Sequence, residues 1–158
     1  MKKMFSKMML AISLSIVLSG CSDENGPHDY LKIAGGGITF NYRVSQASMI
    51  VIAQQIYPFP EGSKVEALFD VPGTATRQSV TLPAMQGKLT YKLQSDPLTH
   101  ITKGGQYNVT IRLLDKMGKE LGKKDTVFVS DEDQSTLPNK PLVNGVELKP
   151  NLQNLQPN

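Results

Sequence analysis

The sequence predicts an all-β protein, an antiparallel β-sandwich of about seven short strands over residues 37–130. Three observations predict it. Apolar and polar residues alternate with a period of two in one segment after another. Gly and Pro clusters punctuate those segments. Helical spacing is missing from every ten-residue window except Asp96–Gly105, where a single turn fits.

The segments justify themselves in order. In "ITFNYRVS" (38–45), Ile38, Phe40, Tyr42 and Val44 take one face, and Thr39, Asn41, Arg43 and Ser45 the other. "SMIVIAQQIYP" (48–58) is apolar on both faces at first, which suits a central strand. "SKVEALFDVP" (63–72) turns Val65, Ala67, Phe69 and Val71 inward and Glu66, Leu68 and Asp70 outward. "RQSVTLP" (77–83) and "KLTYKLQS" (88–95) are shorter, with Leu89, Tyr91 and Leu93 on one face of the latter. "QYNVTIRLLD" (106–115) sets Tyr107, Val109, Ile111 and Leu113 inward, and "KKDTVFVS" (123–130) closes the set. Breaks fall at Pro58–Gly62, Pro72-Gly73 and Gln86-Gly87, and Asp115–Gly118 reads as a hairpin turn with Gly118 left-handed. Tyr107, at the start of the penultimate strand, stands where an immunoglobulin-like sandwich carries its tyrosine corner.

Upstream, Lys2, Lys3 and Lys7 precede an apolar run from Met8 to Leu18. Eleven residues suit a signal-peptide core and are too few to span a bilayer as a helix. The run ends in Leu18-Ser19-Gly20-Cys21, which resembles the lipobox of bacterial lipoproteins. That resemblance implies a signal peptide over 1–20, a diacylglycerol on the Cys21 sulfur, cleavage before Cys21, and a further acyl chain such as palmitate on the new amine. Two or three chains anchor a protein stably where one does not. Ser22, rather than Asp, follows the cysteine, and in such lipoproteins this implies the outer membrane, on its periplasmic face or at the cell surface. Residues 21–36 are then the lipidated Cys and a flexible tether, with "AGGGI" (34–38) a hinge. Residues 131–158, rich in Pro and Asn, read as a mobile tail, within which "PLVNGVEL" (141–148) has the makings of an Asn-Gly hairpin or an added strand.

The net charge of +3 equals the three leader lysines. From Cys21 onward 14 Lys+Arg face 14 Asp+Glu, so no basic stripe argues for nucleic acid. The remaining 138 residues make one domain of ordinary size, and the lone cysteine leaves no intramolecular disulfide.

Little in the domain points to chemistry. His28 lies in the tether, and His100, in a polar connection, lacks an evident nucleophile to serve. Glu66 and Asp70 share an outer strand face without forming an obvious acid/base dyad. Asp131-Glu132-Asp133 lacks the alternation with Gly of a Ca²⁺ loop. "NVT" (108–110) lies inside a strand, "AGGGI" precedes a strand rather than a helix, and no Trp offers a carbohydrate platform. The expectation is no enzyme, no catalytic residue, no metal and no cofactor.

The stretches "YPFPEGSKVEALFDV" (57–71), "LTYKLQSDPLTHITKGGQYNVTIRLLDKMGKEL" (89–121) and "KDTVFVS" (124–130) resemble the YbaY/YscW-type family of small bacterial lipoproteins. Pro60-Glu61-Gly62, Asp70-Val71, Asp96-Pro97, Tyr107, Gly118 and Asp125-Thr126 carry the likeness, which covers residues 48–130. The resemblance implies a pilotin-like β-sandwich. Some members bind the tail of a secretin subunit in an apolar groove and bring it to the outer membrane. The expected function is therefore a membrane-anchored, non-enzymatic lipoprotein that binds another envelope protein. The alternative is an envelope module that binds a ligand or polysaccharide. An open strand edge or apolar groove favours the first, and a concave pocket with convergent polar groups the second.

Overall fold

The computed structural model describes residues 28–144 and 149–150. The leader, Cys21, the tether up to residue 27, residues 145–148 with the glycine of the Asn-Gly pair, and the last eight residues lie outside the described residues. The strands are β1 (Leu31–Asn41), β2 (Gln46–Gln55), β3 (Lys64–Asp70), β4 (Arg77–Pro83), β5 (Thr90–Gln94), β6 (Gln106–Leu114) and β7 (Glu120–Val129), followed by a short pair, β8 (Val143–Asn144) and β9 (Lys149–Pro150). The seven long strands are antiparallel and form two sheets, β1-β2-β5 and β4-β3-β6-β7. The chain changes sheet between β2 and β3, between β4 and β5, and between β5 and β6.

One apolar core is common to both sheets. Ala47, Met49, Val51 and Ala53 of β2 and Tyr91 and Leu93 of β5 supply one side. Val65, Ala67 and Phe69 of β3, with Tyr107, Val109, Ile111 and Leu113 of β6, supply the other. All alternate with a period of two: the expected inward faces of β3, β5 and β6 hold at these residues, and β2, expected to be apolar on both faces, turns one face inward and lies central in its sheet. Fully burying side chains of this size contributes about 1.5–3 kcal/mol each.

Four expectations need correction. The first strand begins at Leu31, which is buried, and not at 37. "AGGGI" is thus strand rather than hinge. A register shift between Ile33 and Gly35 leaves Ala34 without a partner, Gly35, Gly36 and Gly37 pair with Ile52, Val51 and Ile50, and Gly36 lies against β2 and Phe128 too closely for any side chain. Second, the strand ends at Asn41, and Tyr42–Ser45 is the turn to β2, with Ser45 left-handed (φ 53°). Tyr42 is therefore exposed, not inward. Third, Leu89 precedes β5 and is 60% exposed, although its carbonyl accepts from the Gln55 N–H (2.8 Å). Fourth, 96–105 contains no helical turn. Leu98 bridges to Ala47 instead, and Leu98 and Ile101 drop into the core.

The tail also begins later than its composition suggests. Asp133 caps a 3₁₀ turn (Gln134–Thr136), its Oδ1 accepting from the Ser135 N–H (3.0 Å) and hydroxyl (2.8 Å). Those two bonds hold the Asp133 carboxyl below its usual value. Leu137 then enters the core, the Ser45 hydroxyl donates to the Pro138 carbonyl, and the Arg43 carbonyl accepts from the N–H groups of Leu142 (2.8 Å) and Val143 (3.2 Å). One buried leucine and a few backbone bonds suffice to order a stretch that composition reads as disordered. β8 and β9 pair antiparallel, Val143 with Pro150 and Asn144 with Lys149.

Tyr107 lies near the start of β6, and its hydroxyl accepts from the Thr102 N–H at 2.9 Å. A side chain on Gly105 would overlap that hydroxyl, so the glycine is required by the tyrosine. Tyr107→Phe keeps the ring and removes the acceptor. The loss expected is about 1–2 kcal/mol, a lower denaturant midpoint at unchanged slope.

Candidate functional site

Two sheets have four edges, and their chemistry differs. β4 ends in Pro83 and carries Arg77, and its polar end is tied to the loop after β5, where Gln78 Oε1 accepts from the Asp96 N–H (2.9 Å). β5 is five residues long with Lys92 at its centre. Short length, Pro and Lys are the ordinary protections of an edge. β1 and β7 lie side by side along the remaining flank without pairing.

β7 divides into two halves. Its upper half bears Lys123 and Lys124, ion-paired to Asp125 (3.3 Å) and Asp29 (2.8 Å). Its lower half carries no charge and exposes Val127 (48%) and Val129 (54%). Ser130 exchanges backbone bonds with the Gly104-Gly105 turn: its carbonyl accepts from Gly104 (2.7 Å) and its N–H donates to Gly105 (3.0 Å). Antiparallel alternation then turns the backbone of Phe128 and Thr126 to β6. Val127 and Val129 therefore present their N–H and C=O groups to the open side, where no ladder meets them among the described residues. Facing them is a notch whose β1 wall is Gly36, Gly37, Ile38 and Phe40 and whose lower lip is Asp131 and Glu132. Glycines leave that wall low, since the Gly37 side faces open space. The result is an uncharged, unpaired strand edge with β1 alongside it, next to a notch of mainly polar exposed surface with an acidic end.

The other sequence candidates are placed elsewhere. His100 is left-handed (φ 62°), and its Nδ1 lies 3.0 Å from the neighbouring Thr99 hydroxyl; among the described residues no hydrogen bond joins it to a serine or carboxylate. Glu66 and Asp70 do share the outer face of the large sheet, each engaged by an arginine. Glu66 Oε2 accepts from Arg112 Nε (2.7 Å) and Nη2, and its Oε1 from the Ser79 hydroxyl (2.6 Å). Asp70 meets Arg77 at 3.0 Å and accepts from the Asn108 N–H and amide. The row continues through Thr110, which takes a bond from Arg77 (3.1 Å) and gives one to Asp125 (2.5 Å). The Thr110 hydroxyl, aided by Lys123, lowers the Asp125 carboxyl below its usual value. These bonds fasten neighbouring strands of the large sheet to one another. Asp131 and Glu132 join the notch, Asn108 lies within β6, and Tyr91 and Tyr107 are buried.

Sequence reading singled out none of Val127, Val129 or Gly36 as a site. The available signal was the contrast between "KKD" and "TVFV" within one strand, which becomes meaningful only once that strand is known to be an edge. A second depression, on the outer face of the small sheet, is lined in part by Thr39, Ser48 and Gln94. Their polar atoms bond to one another: Thr39 Oγ1 to Ser48 Oγ at 3.1 Å, and Gln94 Nε2 to Ser48 Oγ at 2.9 Å. Among the described residues no cluster of three His, Cys, Asp or Glu could hold a metal ion, and no helix is long and apolar enough to cross a membrane. Compared with known proteins, the chain matches no protein-family model and no curated protein.

Proposed function

We propose that this is a non-enzymatic lipoprotein of the outer membrane, anchored through acyl chains on Cys21, whose domain binds an extended segment of another envelope protein along β7. The reading takes the two sheets as an immunoglobulin-like sandwich. Support for that comes from the strand order and from Tyr107, which bonds back to Thr102 at the corner before β6 as a tyrosine corner does. Support for the function comes from one observation, the uncharged lower half of β7, unpaired on its outer side, beside the notch that ends in Asp131 and Glu132. An added strand gains main-chain bonds from Val127 and Val129, and its alternate side chains fall into the notch. The acidic lip at Asp131 and Glu132 favours a segment with Lys or Arg at one end. A pilotin-like role follows this mode: the partner's tail is held at the edge while the anchor confines both to one membrane and raises their effective concentration.

The test is site-specific photocrosslinking in intact cells. A photoreactive residue at Val127 or Val129 is expected to give one discrete adduct, and the same residue at Leu142 none. The adduct should fade with Val129→Lys, which guards the edge, and with Cys21→Ser, which removes the anchor. Adducts that survive the edge substitution would overturn the β7 assignment.

A further inference from the structure

We infer that the end of the domain formed by the β2–β3, β4–β5 and β6–β7 loops rests on the lipid bilayer. The inference depends on the lipidation of Cys21 proposed above. It starts from where the chain enters the fold. The Tyr30 carbonyl accepts from the N–H groups of Ile56 (2.9 Å) and Tyr57 (3.3 Å). The His28 ring stacks on Tyr57 with centroids 4.1 Å apart, and Asp29 pairs with Lys124 at 2.8 Å. The chain is thus fastened from His28 onward, beside the β2–β3 loop, and the tether is shorter than the one ending at residue 36 that composition suggests.

Cys21 stands seven residues before His28, a reach of at most about 25 Å. A ten-residue strand such as β2 is about 33 Å long. The tether is therefore too short to let the domain turn over and present its far end. The end that stays near the lipid is the loop end, and its surface suits that position. Ile56, Tyr57, Met85, Leu89 and Met117 are all exposed there, Met117 at 86%. They belong to one surface: Gln55 holds the Leu89 carbonyl, and a side chain at Gly62 would stand 3.1 Å from Lys116, so the three loops touch in sequence. Lys88, its ammonium over the Tyr91 ring, and Lys116 and Lys119 belong to the same end of the domain, together with Glu61 and Asp115. Lysine stems lie along apolar surface while their ammonium groups reach phosphates. Tyr57 has the amphipathic ring that favours a membrane–water boundary. A lipid surface accounts for both the mixture of apolar tips with lysines and the fixed exit of the anchored chain.

The experiment uses the full chain, purified from membranes and reconstituted in vesicles of phosphatidylethanolamine and phosphatidylglycerol. Leu89→Cys, Met117→Cys and, as the far-end control, Tyr42→Cys each carry an environment-sensitive fluorophore. Nitroxide-labelled lipids are expected to quench the labels at 89 and 117 at least threefold more strongly than the label at 42. Equal quenching at all three positions, with the protein still floating with the vesicles, overturns the orientation and leaves the anchor intact. Protein that fails to float, together with labelling of Cys21 in the parent chain, overturns the anchor and the orientation with it.

Discussion

Gly36→Ala is expected to destabilise the domain by about 3 kcal/mol or more, while Gly35→Ala and Gly37→Ala change stability by about 0.5 kcal/mol or less. The three glycines are consecutive in β1, and only their surroundings differ. A Cβ at Gly36 would overlap the Ile50 carbonyl and the Phe128 ring and stand 3.0 Å from the Val51 Cα, and its φ of 150° lies where L side chains are strained. Overpacking of this kind costs about 1–3 kcal/mol, and a disfavoured backbone region a similar amount. At Gly35 and Gly37 nothing stands within 4 Å of the added carbon. Alanine there even reduces the entropy of the unfolded chain. Urea denaturation of the three single variants measures the contrast. Three equal losses would mean that β1 fails for its propensity and not for its contact with Phe128.

The second large effect belongs to Glu66 and Arg112. Glu66 occupies the middle of β3, flanked by β4 and β6, and only 8% of it is exposed. Its carboxylate depends on Arg112 and Ser79. Arg112→Leu strands that charge and is expected to cost about 3 kcal/mol, at the lower end for a broken buried pair because the guanidinium is partly solvated. Glu66→Leu combined with Arg112→Leu removes both charges and is expected to recover all but about 1 kcal/mol. A double-mutant cycle from denaturant midpoints reads the coupling directly. A double variant no more stable than Arg112→Leu alone would assign the loss to the arginine's packing rather than to the ion pair.

Three inner faces were legible in the sequence because their side chains meet the core every second residue, 65–69, 91–93 and 107–113, while β2 was legible as a central strand but not by its inward face. The Asp115–Gly118 turn was legible for a local reason: Asp115 Oδ1 accepts from the N–H groups of Met117 and Lys119, and Gly118 is left-handed (φ 87°). What escaped reading depended on distant partners. Alternation continues through Tyr42 and Val44 on paper, yet pairing with β2 ends at Asn41 against Gln46. Three glycines suggest slack until Phe128, some ninety residues away, fills the space above one of them. Leu137 looks like one apolar residue in a polar tail, but the opening it fills is made by other parts of the chain. The candidate edge was illegible for the same reason. Val127 and Val129 occupy an ordinary alternating strand, and only sheet order makes them terminal.

The two ends of the described chain leave the domain at opposite poles, His28 beside the β2–β3 loop and the tail at the β1–β2 turn. A pull on those two ends would therefore run lengthwise through β1. Its ten rungs with β2 lie across such a pull and share the load at once. The tail is held at Arg43 and Ser45 by a handful of bonds and would peel away first. Under force the protein has a built-in fuse: the tail yields while the sheets stay shut.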